Sequence, residues 1–143
     1  MIKQILFISS ACSALSLHGA PSSHPAIYDL EILARNGSSR DTALIRLFAE
    51  NQYVILDFYA TWCGPCQKMT SVLPDIVKAY NGLVIIVKVN IDLFPDLARK
   101  YHVLSVPTLL FIKNGQEIKS TRVIGGLNKN TLIVKVQKIF NLE

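Results

Sequence analysis

At 143 residues the chain has room for one domain with its own core and is too short for two of ordinary size. Half of its residues are apolar, and the net charge of +5 comes from 15 Lys and Arg scattered among 10 Asp and Glu. The basic residues form no long run, which argues against a nucleic-acid partner, and three cysteines are too few for a structural disulfide framework.

Residues 1–20 read as an export signal. Lys3 supplies a positive start, residues 5–17 are apolar or small and uncharged, and small residues follow. The apolar stretch is too short to cross a bilayer, so no stable membrane insertion is expected. Ser10-Ala11-Cys12 resembles a lipoprotein box, but Ser9 stands where a leucine is needed, so Cys12 is expected to leave with the signal. The exported protein would be periplasmic or otherwise extracytoplasmic; lipid attachment at Cys12 with membrane tethering, an uncleaved anchor, a plain first helix and a cytoplasmic protein are the alternatives. Residues 21–26 read as a Pro/Ser linker, and the folded domain is expected over 27–143.

Residues 27–33 alternate loosely and read as a first edge strand. Asn36-Gly37-Ser38-Ser39 is a turn that ends in a helix cap, and Leu44, Leu47 and Phe48 form the apolar stripe of a helix running to about Glu50. Residues 53–59, Tyr-Val-Ile-Leu-Asp-Phe-Tyr, form a β-rich apolar run fit for a central strand. Met69, Val72, Leu73, Ile76, Val77 and Tyr80 then share one helical face, and Asn81-Gly82 ends that helix. Residues 83–89 read as a strand, and a short helix starts near Pro95. Residues 108–112 read as a strand, Asn114-Gly115 as a hairpin turn, and 117–124 as the returning strand. Asn128 or Asn130 caps a last helix with Leu132, Ile133, Val136, Ile139 and Phe140 on its inner face. This order implies an α/β fold: a mixed sheet of four or five strands with helices on both faces.

The chemistry is concentrated in Trp62-Cys63-Gly64-Pro65-Cys66, where the central strand stops and a helix starts. The unpaired N–H groups of a helix N-terminus favour thiolate over thiol at Cys63. A thiolate is a nucleophile, and Cys66 lies within reach to resolve whatever bond it forms. The plainer reading is a pair of buried core cysteines. A zinc site would need two further ligands, and His18, His24 and His102 show no pairing pattern.

These residues resemble the active-site signature of the thioredoxin family, and the resemblance extends from about Ile27 to the C-terminus. It implies the thioredoxin fold, a protein-disulfide reductase activity through Cys63 and Cys66, no metal or organic cofactor, disulfide-containing protein substrates, a separate reductase as electron donor, and a monomer. By resemblance, Gly64 and Pro65 set the redox potential, because a dipeptide without His is typical of the family's reductants. Asp57 matches the buried aspartate that exchanges a proton with the second cysteine, and burial should raise its pKa. Lys88 matches the lysine facing that aspartate. The plainer readings are a polar strand-edge residue for Asp57 and a solvent-facing one for Lys88. Val106-Pro107-Thr108 matches the family's cis-proline loop, which would bring the Val106 backbone to a bound peptide. Trp62, Gly64, Pro65, Val106, Pro107, Gly125 and Gly126 would then form a shallow apolar docking surface, unless Trp62 is core.

Two departures are visible. Ser71 stands where the family has a helix-kinking proline, and Pro74, three residues later, is expected to disturb the helix about one turn further on. Gln67 stands where a basic residue is common, with Lys68 next to it. The rival readings are an exported disulfide oxidase or isomerase, and a non-enzymatic binding module on the same fold.

Overall fold

The computed structural model describes residues 26–36 and 39–142. The expected export signal, its Cys12, residues 21–25 of the linker, Gly37-Ser38 of the first turn and Glu143 lie outside the described residues.

The elements run β1 (Ile27–Asp29), α1 (Leu30–Arg35), α2 (Arg40–Glu50), β2 (Tyr53–Tyr59), α3 (Gly64–Ala79), β3 (Val84–Asn90), α4 (Pro95–Lys100), β4 (Thr108–Lys113), β5 (Gln116–Glu117), β6 (Val123–Ile124) and α5 (Lys129–Phe140). β1, β3 and β2 are parallel neighbours, and β4 lies antiparallel on the other side of β2. β5 and β6 both pair antiparallel with β4. The mixed sheet covered on both faces agrees with the expected fold class.

Two of the expected elements differ. The first strand stops at Asp29, because the Asp29 carboxylate accepts from the Glu31 N–H and caps α1, which takes up residues read as strand. The return strand is broken into β5 and β6. Ile118 still donates to Phe111 O, but Thr121 Oγ1 turns back onto Ile118 O and Ser120 takes a left-handed φ of 70°. That split raises the strand count among the described residues to six.

Period-two alternation sorts the core into two layers. Val54, Leu56 and Phe58 of β2, with Leu110 and Ile112 of β4, pack towards α1, α2 and α4. Ile55, Ile86, Leu109 and Phe111 pack towards Met69, Leu73 and Ile76 of α3 and Leu132, Val136 and Phe140 of α5. Asp57 and Lys88 fall on this second face by the same alternation. The caps act where the sequence places them. Ser39 Oγ accepts from Thr42 N, Asn128 Oδ1 accepts from Thr131 N, and Asn114-Gly115 turns the hairpin with φ of 52° and 76°. Among the described residues no helix is long and apolar enough to cross a membrane.

Candidate functional site

β2 delivers the chain to the C-terminal end of the parallel strands at Tyr59, and Cys63 becomes the N-cap of α3. Pro65 fits the first helical turn because it has no N–H to leave unpaired there. Cys63 Sγ accepts from the Cys66 backbone N–H at 3.2 Å, so the sulfur takes the place of a side-chain cap. No acidic residue lies in the first turn of α3 to oppose a thiolate. Cys63 and Cys66 are joined in a disulfide with Cα atoms 5.3 Å apart. Both are nearly buried, at 5% and 2% exposure, against Ala60, Tyr59, Ile91 and Val106.

Three loops meet at this disulfide. Val106 O lies 3.7 Å from Cys63 Sγ, and the Val106–Pro107 bond is cis. Gly125 donates its N–H to Pro107 O at 2.8 Å from a left-handed φ of 87°, which favours glycine there. Trp62 is exposed, not core, and its indole Nε1–H donates to Asp92 Oδ2 at 3.0 Å. Gly64 and Gly126 flank Pro65, and Gly126 comes close to the Pro65 carbonyl. A groove of about 410 Å³ continues past Pro65 between Met69 and Val72 of α3 and Leu127.

Asp57 is 1% exposed, and among the described residues neither carboxylate oxygen has a hydrogen-bond partner. Burial pushes its pKa up to about 6, with the Lys88 charge pulling weakly the other way. Lys88 is its register partner across the parallel β2–β3 pair. The ammonium is nevertheless held elsewhere, donating to Thr70 Oγ1 of α3 at 3.2 Å and lying 4.4 Å from the centre of the Tyr59 ring. Thr70, Tyr59 and Asp92 were not picked out by sequence reasoning. Tyr59 was accessible to it, since it lies two positions from Asp57 on one strand face. Thr70 falls one turn after Cys66 on the helix, and nothing in the sequence paired Asp92 with Trp62.

α3 runs unbroken to Ala79, so the disturbance expected at Pro74 does not interrupt the helix. Ser71, at the position where the family has a proline, donates its hydroxyl to Lys68 O at 2.7 Å. Gln67 Nε2 donates to Thr61 O at 3.3 Å, bracing the loop ahead of the disulfide. Among the described residues no group of three or more His, Cys, Asp or Glu is placed to hold a metal ion.

The fold and the Cys63–Cys66 pair define a thioredoxin-fold protein with a disulfide at the N-terminus of α3, the longest helix among the described residues. A protein-family model described as thioredoxin matches residues 39–138. The chloroplastic M-type thioredoxin of Pisum sativum is 40% identical over 108 residues, covering 76% of this chain and 60% of that protein. Its counterpart in Spinacia oleracea is 40% identical over 85 residues, covering 59% of this chain and 46% of that protein. The chain thus spans about half to three fifths of these two relatives. The solved structure of a mutant thioredoxin from Halobacterium salinarum superimposes with a TM-score of 0.63 at 29% identity, covering 69% of this chain and 84% of that one. The chain belongs to the thioredoxin family.

Proposed function

We propose that this protein is a thiol-disulfide oxidoreductase working as a protein-disulfide reductase. The observation that carries the reading is the Cys63 sulfur itself, capping α3, accepting the Cys66 N–H and facing Val106 O at the surface of three loops. In the reduced protein the same N–H and the helix N-terminus stabilise a Cys63 thiolate. That thiolate attacks one sulfur of a substrate disulfide. A mixed disulfide forms, and the first substrate thiolate leaves. Asp57 takes the Cys66 proton, and the Cys66 thiolate attacks Cys63 Sγ. The Cys63–Cys66 disulfide forms, and the second substrate thiolate leaves. The substrate gains two electrons and two protons, and a separate reductase must return two electrons and two protons to this protein.

Asp57 suits that role because a pKa of about 6 keeps it poised near neutral pH. Trp62, Val106, Pro107 and Gly125 surround the sulfur that attacks, which supports their assignment to substrate binding. Gly64 and Pro65 place no charge beside Cys63, so nothing in the dipeptide favours the dithiol over the disulfide. Lys88 supports Asp57 as a nearby positive charge. The apolar, uncharged residues 5–17 behind Lys3 support export, which N-terminal sequencing of protein from its native cells checks.

The reduction potential of the Cys63/Cys66 couple, equilibrated against a dithiothreitol series, tests the direction. A value near −270 mV, roughly that of thioredoxin, is expected. A value of about −120 to −180 mV, the range of the dedicated oxidant and isomerase, would reverse it. Full biological activity in a Cys63→Ser, Cys66→Ser double variant would replace the enzyme with a binding module.

A further inference from the structure

None of the residues lining a second cavity belongs to the disulfide site. This cavity holds about 490 Å³ between the end of α4 and the chain that bulges out between β5 and β6. Lys100 and His102 line it from the α4 side, and Lys119 and Arg122 line it from the bulge. Glu117 is the one carboxylate among the lining residues. Three permanent cations therefore share one concave space with a single carboxylate, and in such a space their fields add.

The polar contacts leave that positive charge available. Arg122 Nε donates to Glu117 Oε1 at 2.8 Å, and Nη1 donates to His102 O at 3.3 Å. Glu117 is thus spent on holding the guanidinium, which ties the bulge to the end of α4. The carbonyls that end α4 would repel an anion if they were free. Leu97 O, Ala98 O and Arg99 O instead accept from the N–H groups of Tyr101, Val103 and His102. Among the described residues neither Lys100 nor Lys119 is in a salt bridge. The Lys100 ammonium lies 5.9 Å from the centre of the Tyr101 ring, at the outer limit of a cation–π contact, and is held loosely. Asp41, whose charge reaches Tyr101, is itself paired with Arg40.

We propose that this cavity binds a diphosphate, free or carried on a nucleoside. Two ammonium groups without a counter-ion call for an anion with more than one charge. An Arg122 guanidinium already fixed by Glu117 and His102 O costs little to order around phosphate oxygens. The cavity is larger than one phosphate needs and falls within the roughly 300–1,000 Å³ of small-molecule sites. A binding site here is independent of the reductase reading, because it shares no residue with the disulfide.

The test titrates the oxidised full chain with pyrophosphate and with ADP at constant ionic strength, following backbone amides by NMR. Saturating shifts should centre on residues 100–103 and 119–122. Binding should weaken as salt is raised, since the contacts are between charges. A Lys100→Gln, Lys119→Gln double variant should bind about tenfold or more weakly, as the loss of charge-assisted contacts implies. Its reduction of a small-molecule disulfide should match that of wild type. Lys119→Gln alone leaves α4 untouched and should give part of the same loss. Equal affinity for the two probes would assign the site to the diphosphate itself, and tighter binding of ADP to a nucleoside-borne one. Shifts that do not saturate, that chloride reproduces at equal ionic strength, or that persist at full affinity in the double variant overturn the proposal. They would leave the two lysines as a solvated surface at the end of α4, and the reductase reading as it stands.

Discussion

Asp57 is a carboxyl group placed where its charged form is costly. Ile55, Ile86 and Leu109 share its face of the sheet, and α3 covers it. Its pKa is raised from 3.8 to about 6, burial being the larger cause. Below about pH 4 the group is protonated in folded and unfolded chains alike, and the buried form carries no charge. As pH rises through about 6 the folded chain must bury a carboxylate, and up to about 3 kcal/mol of stability is lost. Asp57→Asn removes that loss, so the variant should gain on the order of 2–3 kcal/mol over wild type at about pH 8 and little at about pH 4. Guanidinium unfolding at the two pH values measures this, and a difference independent of pH would remove Asp57 as the buried titrating group. Thr70 bears on the same carboxyl indirectly. It is half of the clamp that keeps the Lys88 ammonium off Asp57, with Tyr59 as the other half. Asp29 is the Lys88 register partner on β1, and its charge, with Glu31 and Asp57, helps raise the Tyr59 pKa after burial. Freed in Thr70→Val, the ammonium can approach Asp57 and lower its pKa. The acid limb of the pH–rate profile should then move down by about half a unit to one unit, and Thr70→Ser should restore it. An unmoved profile would assign the position of Lys88 to Tyr59 alone.

At the scale of elements, α3 couples local sequence to chemistry. Its N-terminus holds Cys63, and the Gly64-Pro65 pair leaves the thiolate with the helix as its main source of positive potential. Pro65→His would add an ionisable imidazole there. An imidazolium beside Cys63 stabilises the thiolate, and so the reduced form, and the potential should rise by about 30 mV for each pK unit that Cys63 falls. Equilibration with glutathione at about pH 7 reads this directly, and an unchanged potential would show that the side chain points away from the sulfur. Most elements around α3 were legible in the residues. β2 was a continuous apolar run, the α3 stripe had the helical period, and Ser39, Asn114-Gly115 and Asn128 marked ends by chemistry that acts within a few positions. The misreadings share a cause. Residues 30–33 are apolar enough for a strand, but the Asp29 carboxylate offers the Glu31 N–H a closer partner than any sheet edge. Residues 117–124 have strand composition throughout, and only the long-range pairing to β4 decides that the middle bulges out at Ser120. The site divides in the same way. The cysteines, Asp57 and Pro107 sit in local patterns, whereas the Trp62–Asp92 and Lys88–Thr70 contacts join segments that meet only in the folded chain.

The whole molecule separates its stability from its chemistry along β2. Tyr53 starts that strand and Tyr59 ends it, so the disulfide beyond Tyr59 lies about 20 Å from the Tyr53 end at strand rise per residue. Phe140 of α5 closes the far end. It is fully buried, tilted against Tyr53 with ring centres 5.0 Å apart and edge-on to Phe111 at 5.6 Å. The helix terminates there with Asn141 left-handed and Leu142 N bonded back to Gln137 O, which fixes the ring in place. Truncating such a ring leaves a cavity that a close-packed layer fills poorly, at a cost of about 3–5 kcal/mol. Against a total of about 5–15 kcal/mol, that is a large share. Phe140→Ala should therefore lower the denaturant midpoint sharply with an unchanged slope. Phe140 packs on Tyr53, at the end of β2 away from the disulfide, so the loss is expected to fall equally on the oxidised and reduced proteins and to cancel from their difference. The Cys63/Cys66 potential of the variant should stay within about 10 mV of wild type, since about 30 mV would already mean about 1.4 kcal/mol of unequal destabilisation. A larger shift would mean that α3 carries strain from its packing against α5 to its N-terminus, and that the two ends of the sheet act as one unit.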